Sequence, residues 1–189
     1  MEVGFDKQMA YSEKFMSEMK AICGHELFKH DVYRDLNEAT DLYIGETCIA
    51  CRVRKYPDAR FLSQRLREFT VRLTSNGRTR NSELAKIMNG YANFMLYAMA
   101  DKTDSRIYAW TLISLDHFRQ QVNVKNNNNH EDIVVSVGLH EVEHKKNWTN
   151  KGNRFVIFPI DTFDDGLVVA NCVNGNKIIK CPEQLRLKF

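Results

Sequence analysis

Apolar positions in the first part of the chain predict one amphipathic helix followed by short strands. Residues 8–23 carry apolar side chains at helical spacing with charges between them, and Gly24 ends this predicted helix. Strand patterns follow at residues 26–34, 40–44 and 47–56, with a tight turn at residues 45–46. Residues 68–75 alternate apolar and polar side chains, which predicts a strand with one solvated face before a turn at residues 76–77.

The middle of the chain shows a second helical pattern and one apolar strand. Ser82 is a predicted N-cap for a helix that begins at Glu83, and the apolar stripe of this helix continues through Met95 to Ala98. Residues 107–115 form an apolar run typical of a buried strand, and a short helix is predicted from Asp116.

The C-terminal part of the chain is predicted to be rich in strands. Residues 123–131 are polar and of low complexity, which indicates a surface loop. Strands are predicted at residues 154–160, 167–173 and 176–181, with a hairpin across Asn174-Gly175. The domain prediction is therefore a core at 1–122, a loop or insert at 123–153 and a β-rich C-terminal extension at 154–189, packed on the core.

The composition indicates a cored domain. The chain has 189 residues, of which 43% are hydrophobic, and this excludes a disordered chain and a disulfide-stapled miniprotein. Charges run through the first twenty residues, and no apolar run is long enough to cross a bilayer. We therefore expect a cytoplasmic protein without membrane contact, in which the five cysteines are reduced thiols.

The charge is distributed unevenly along the chain. Residues 1–51 have a net charge of −5, whereas residues 52–86 have a net charge of +7 and contain eight arginines. Guanidinium groups bind phosphate or carboxylate in a fixed two-pronged geometry, so this block predicts binding of nucleic acid or of a protein partner. The residues expected to make these contacts are Arg52, Arg54, Arg65, Arg67, Arg72, Arg78 and Arg80. The alternative is a solvated face neutralised by the acidic first third.

The predicted order of helix, strands, helix and strand resembles the core of the PD-(D/E)XK nuclease superfamily. Asp41 stands at the start of a strand, where the superfamily carries its first metal-binding acid, and Arg52 and Arg54 occupy the acid and lysine positions of the next strand. The segments ATDL, IACRVR, EFTVR and EL.KI, with a tail RF..F.I, also resemble a group of phage and prophage proteins with this core. The resemblance covers about residues 5–119 and the tail, and it implies an α/β fold.

The resemblance also implies a magnesium-dependent endonuclease, because two carboxylates hold Mg²⁺ and a lysine stabilises the attacked phosphate. Arg52 replaces the second acid here and is expected to form an ion pair with Asp41. Some members carry the second acid on the following helix, so Asp41, Glu83 and Lys86 are candidate catalytic residues if the chain is active.

Two functional hypotheses follow. The first is a non-catalytic phage protein that binds DNA or a nucleic-acid-bound host defence enzyme and needs no cofactor. On the phage resemblance, we expect such a protein to be an anti-CRISPR that acts on the type II RNA-guided DNA nuclease. The alternative is a metal-dependent DNA endonuclease that uses Asp41 and Glu83.

His140-Glu141-Val142-Glu143-His144 matches the H-E-x-x-H pattern of zinc proteases. On a helix, His140 and His144 would share one face and bind Zn²⁺. The lysines that follow favour a solvent-exposed coincidence instead. Cys48 and Cys51 form a C-x-x-C, but in a strand positions three apart point to opposite faces, so we expect small buried side chains rather than a metal site.

Overall fold

The computed structural model describes residues 11–24, 31, 38, 40–74, 82–126, 133–142, 144–146 and 154–179. The helices are α1 (Met16–Ile22), α2 (Leu62–Arg65), α3 (Glu83–Met88) and α4 (Leu115–Gln121), with 3-10 turns at Ala59–Phe61 and Ile160–Thr162. The strands are β1 (Leu42–Ile44), β2 (Thr47–Arg54), β3 (Glu68–Arg72), β4 (Phe94–Ala100), β5 (Ile107–Ser114), β6 (Val122–Asn126), β7 (Ile133–Val137), β8 (His140–Glu141), β9 (His144–Lys146), β10 (Arg154–Pro159), β11 (Val168–Val173) and β12 (Asn176–Ile179). The fold is a strand-rich mixed α/β fold.

One six-stranded sheet has the order β1-β2-β4-β5-β11-β12. Strands β2 and β4 pair in parallel, and the other neighbours in this sheet pair antiparallel. Two three-stranded sheets, β3-β10-β9 and β6-β7-β8, complete the described strands. Strands β10 and β11 thus pair with β3 and β5, far earlier in the chain.

Apolar side chains cover both faces of the six-stranded sheet. On one face, Phe15 and Met19 at α1 pack against Leu42, Ile49 and Leu96. On the other face lies a larger core that contains a cluster of four phenylalanines from β3, α4, β10 and the segment after β10. Their rings are Phe69, Phe118, Phe158 and Phe163, with neighbouring centroids 4.9–6.1 Å apart. This second core joins β3 and β10 to the main sheet.

The prediction of a helix from Glu83 is confirmed at its start and wrong at its end. The Ser82 side chain accepts a hydrogen bond from the amide of Ala85 at 3.1 Å, as the N-cap pattern indicates. The helix stops at Met88, and Gly90 follows with φ +84°, a left-handed conformation that favours glycine after a helix. Residues 94–100 then form the central strand β4, because a short apolar run suits a strand buried on both faces.

Two other predictions are wrong. Strand β3 has no solvated face, because four of its five residues are buried, Glu68 and Thr70 among them. Residues 122–126 form β6, which pairs with β7 antiparallel, where a loop was predicted from residue 123. The β11–β12 hairpin across Asn174-Gly175 is confirmed.

The predicted strand at 26–34, apart from residue 31, and the predicted turn at 76–77 lie outside the described residues. No helix in the described ranges is both long enough and apolar enough to cross a membrane.

Candidate nucleic-acid interface

Strands β2 and β3 bring arginine side chains from two sheets together. Arg52 and Arg54 lie two positions apart on β2, and Arg72 lies two positions after Thr70 on β3, so each pair projects from one face of its strand. Arg52 donates to the carbonyl oxygen of Thr70 at 3.3 Å, and Arg54 donates to the hydroxyl of Thr70. Thr70 is therefore the point at which the two sheets meet through these guanidinium groups.

Arg52 forms its ion pair with Glu83 at the start of α3, not with Asp41 as the sequence suggested. The two side chains are only 17% and 14% exposed, and the Glu83 carboxylate also accepts from the amide of Arg72 at 2.8 Å. Asp41 instead accepts a hydrogen bond from the amide of Cys51 at 2.6 Å. The pairing differs because α3 packs against β3 and places Glu83 beside β2, which no local pattern encodes.

Arg54 and Arg72 lie against the same aromatic ring. Their guanidinium carbons lie 5.7 Å and 5.9 Å from the centroid of Phe155 on β10, within cation–π range. The Nε of Arg72 is buried and has no hydrogen-bond partner within the described ranges. Neither guanidinium forms an ion pair with a carboxylate in the part of the chain that the structure describes.

The pKa of Arg52 depends on its burial and on the charged side chains around it. Burial lowers the pKa of Arg52, while the Glu83 carboxylate raises it and the charges of Arg54 and Arg72 lower it further. Guanidinium groups stay protonated in proteins, so Arg52, Arg54 and Arg72 all carry positive charge at this point, and Glu83 compensates only part of it.

Other arginines of the basic block are paired. Arg60 pairs with Asp58 at 2.9 Å, Arg65 with Glu68 at 2.5 Å, and Arg67 with Asp161 at 2.5 Å. These acids come from within the block and from the C-terminal part, so the predicted neutralisation by the first third of the chain is wrong for these pairs. Arg78 and Arg80 lie outside the described residues.

The residues of the predicted magnesium site come from two places in the fold, the start of β1 and helix α3. Asp41 immediately precedes β1, Glu83 opens α3, and Lys86 follows it in the last turn of that helix. The Glu83 oxygen Oε2 accepts from the Arg52 guanidinium and from the backbone amide of Arg72, two members of the arginine cluster formed by Arg52, Arg54 and Arg72. Within the described ranges, no three histidine, cysteine, aspartate or glutamate side chains come together in a way that could hold a metal ion.

The helix required by the H-E-x-x-H hypothesis is absent from this part of the described chain. His140 is exposed on β8, and His144 is on β9, so the two histidines belong to different sheets. Cys48 and Cys51 pack against cores on opposite faces of the main sheet, as expected for a strand.

Sequence analysis missed three residues that organise this site: Thr70, Tyr97 and Phe155. The Tyr97 hydroxyl lies 3.3 Å from the Thr70 hydroxyl, and Tyr97 also lines a mostly apolar cleft together with Arg65, Glu68 and Thr111. The period-two pattern of β3 could have placed Thr70 on the same face of the strand as Arg72. Tyr97 and Phe155 could not have been found in this way, because they lie on strands that are distant in sequence.

Comparison of the chain with protein-family models, with curated proteins and with solved structures finds no match.

Proposed function

We propose that this chain is a nuclease-like protein that binds nucleic acid without cutting it, with Arg54 and Arg72 as central phosphate contacts. The observation that carries the proposal is the pair of guanidinium groups on Phe155, which have no carboxylate partner within the described ranges. Other arginines of the block, Arg60, Arg65 and Arg67, are already paired with acids. Phosphate oxygens are the natural ligands for unpaired guanidinium groups.

The nuclease-like core is part of the same proposal. The described elements follow the order α1, the antiparallel pair β1 and β2, α2, β3, α3 and β4, with β4 parallel to β2 and α1 on the face opposite the larger core. Strand β3 lies in a second sheet. Asp41 immediately precedes β1, and the Arg52–Arg54 pair lies on the neighbouring strand β2, which resembles the placement of the first acid and of the acid-x-lysine positions in the superfamily. A guanidinium in the second acid position supports binding over metal-dependent cleavage.

The partner proposed from the phage resemblance is DNA or a nucleic-acid-bound host defence enzyme such as the type II RNA-guided nuclease. The contacts of Glu83 favour the non-catalytic form of this proposal. A carboxylate that already accepts from Arg52 and from the amide of Arg72 would have to give up these contacts to ligate Mg²⁺. Positive charge from three arginines also opposes a divalent cation at this point.

The test is the salt dependence of binding to a DNA oligonucleotide. Replacing both Arg54 and Arg72 with glutamine should weaken binding and reduce the magnitude of the slope of log K against log salt by roughly 0.9 for each phosphate that the pair contacts. Arg60→Gln is the matched control, because Arg60 is exposed and already paired with Asp58. An unchanged slope in the double variant would show that Arg54 and Arg72 do not contact the phosphates of the nucleic acid.

A cleavage assay separates the two functional hypotheses. Wild type, Asp41→Ala and Glu83→Ala are incubated with supercoiled DNA and Mg²⁺ or Mn²⁺. We expect no cutting by any of the three proteins. Metal-dependent cutting by wild type that is lost in both variants would instead establish the endonuclease.

A further inference from the structure

The arginine cluster carries an excess of positive charge. Among the described residues, the charged side chains that act on Arg52 are one carboxylate, Glu83, and two guanidinium groups, Arg54 and Arg72. Three arginines and one glutamate carry a net charge of +2 in a partly buried position. Since electrostatic interactions are stronger away from bulk water, an anion that compensates both charges is favoured here.

We infer that Arg54 and Arg72 recognise a terminal phosphate monoester, so that the chain prefers nucleic-acid ends carrying a phosphate. This inference rests on the proposed nucleic-acid binding. A backbone phosphodiester carries one negative charge, whereas a phosphate monoester carries about 1.5 to 2 at neutral pH. Only the monoester approaches the excess charge of the cluster.

The donor geometry also fits a terminal phosphate. A monoester presents three free oxygens, and a phosphodiester within a strand presents two. The guanidinium groups of Arg54 and Arg72 lie against the same ring, Phe155, and each offers a planar fork that binds phosphate bidentately. Two guanidinium groups that each donate two hydrogen bonds to the same phosphate group therefore find better acceptors in the three free oxygens of a monoester than in the two of a diester.

The two guanidinium groups are held in place before any ligand binds. The hydroxyl of Thr70 accepts from Arg54 and lies 3.3 Å from the Tyr97 hydroxyl, while the Phe155 ring lies against both arginines. Fixing these flexible side chains in advance reduces the entropy lost on binding. The half-buried setting also suits the end of a strand, because a terminal group can enter where a continuous backbone would have to bend.

The experiment compares oligonucleotides of one sequence that carry a 5′-phosphate, a 3′-phosphate or only hydroxyl ends. We expect wild type to bind one of the phosphorylated forms about tenfold or more tightly than the hydroxyl form, since added charge-assisted hydrogen bonds typically have effects of this size. Arg54→Lys and Arg72→Lys keep the charge but lose the fork, so each should reduce the preference to about threefold or less. Arg60→Gln should keep it fully.

Thermal melting of each variant establishes that it is folded. Equal affinity for phosphorylated and hydroxyl ends, with salt-dependent binding intact, would overturn this inference and leave the proposed function standing. Absence of binding to every oligonucleotide would overturn both. A preference that survives in both lysine variants would also overturn the assignment of these two residues.

Discussion

At the scale of single residues, the Arg52–Glu83 pair is the contact on which the cluster depends. Both side chains are largely buried, so removing one charge leaves the other without compensation. Glu83→Gln should lower the free energy of unfolding by about 2–4 kcal/mol, measured by urea denaturation. The loss includes a weaker acceptor for the amide of Arg72.

The matched control for this pair is Asp58→Asn. It removes an ion pair with Arg60 that lies on the surface and is screened by water and salt. The free energy of unfolding should stay almost unchanged. If both substitutions have the same effect, the Arg52–Glu83 pair does not stabilise the fold through burial.

The sequence identifies the arginines of this site, but it does not identify the residues with which they pair. Eight arginines within 35 residues identify a basic block, and the alternation of β2 places Arg52 and Arg54 on one face. The partner of Arg52 is 31 residues away, on a helix brought in by the packing of α3 against β3. Such contacts are set by tertiary packing, so the composition of the block could not distinguish paired arginines from unpaired ones.

At the scale of elements, the error at β4 shows what periodicity cannot decide. The segment FMLYAMA consists mostly of good helix formers and continues an apolar stripe from α3, yet it forms a strand. Asn89 and Gly90 end the helix first, and residues 94–100 are then enclosed between β2 and β5. Burial between two neighbouring strands outweighs the local helix propensity of these residues.

Two glycines should respond differently to alanine because their backbones differ. Gly90 has φ +84° and open space around an added Cβ, so Gly90→Ala should cost about 1 kcal/mol through backbone strain alone. At Gly166, an added Cβ would lie 2.5 Å from the ring of His117. Gly166→Ala should therefore cost more, about 2 kcal/mol, because the ring must move.

The contact at risk in Gly166→Ala is the one between His117 and Asp164. Urea denaturation of the two variants gives the comparison, and a histidine resonance shifted only in Gly166→Ala would identify the displaced ring. A larger loss of stability for Gly90→Ala than for Gly166→Ala would contradict this assignment of strain and close packing.

At the scale of the whole molecule, the phenylalanine cluster joins segments that are far apart in the chain. Phe69 belongs to β3, Phe118 to α4 and Phe158 to β10, and all three are fully buried. Phe158→Ala should lower the free energy of unfolding by about 3–5 kcal/mol, as expected for a large cavity in a core. Phe61, which is 49% exposed, is the control, and its replacement by alanine should have little effect.

The same cluster predicts that the C-terminal strands unfold together with the main sheet. Strand β10 pairs with β3 along five residues, and β11 pairs with β5, so neither can separate without exposing apolar faces. Unfolding followed by far-UV circular dichroism and by tryptophan fluorescence should give coincident transitions in wild type and in Phe158→Ala, with only the midpoint lowered. Two separate transitions would mean that residues 154–179 form an independent unit. Arg54 and Arg72, which pack against Phe155 of β10, would then lose this contact before the main sheet unfolds.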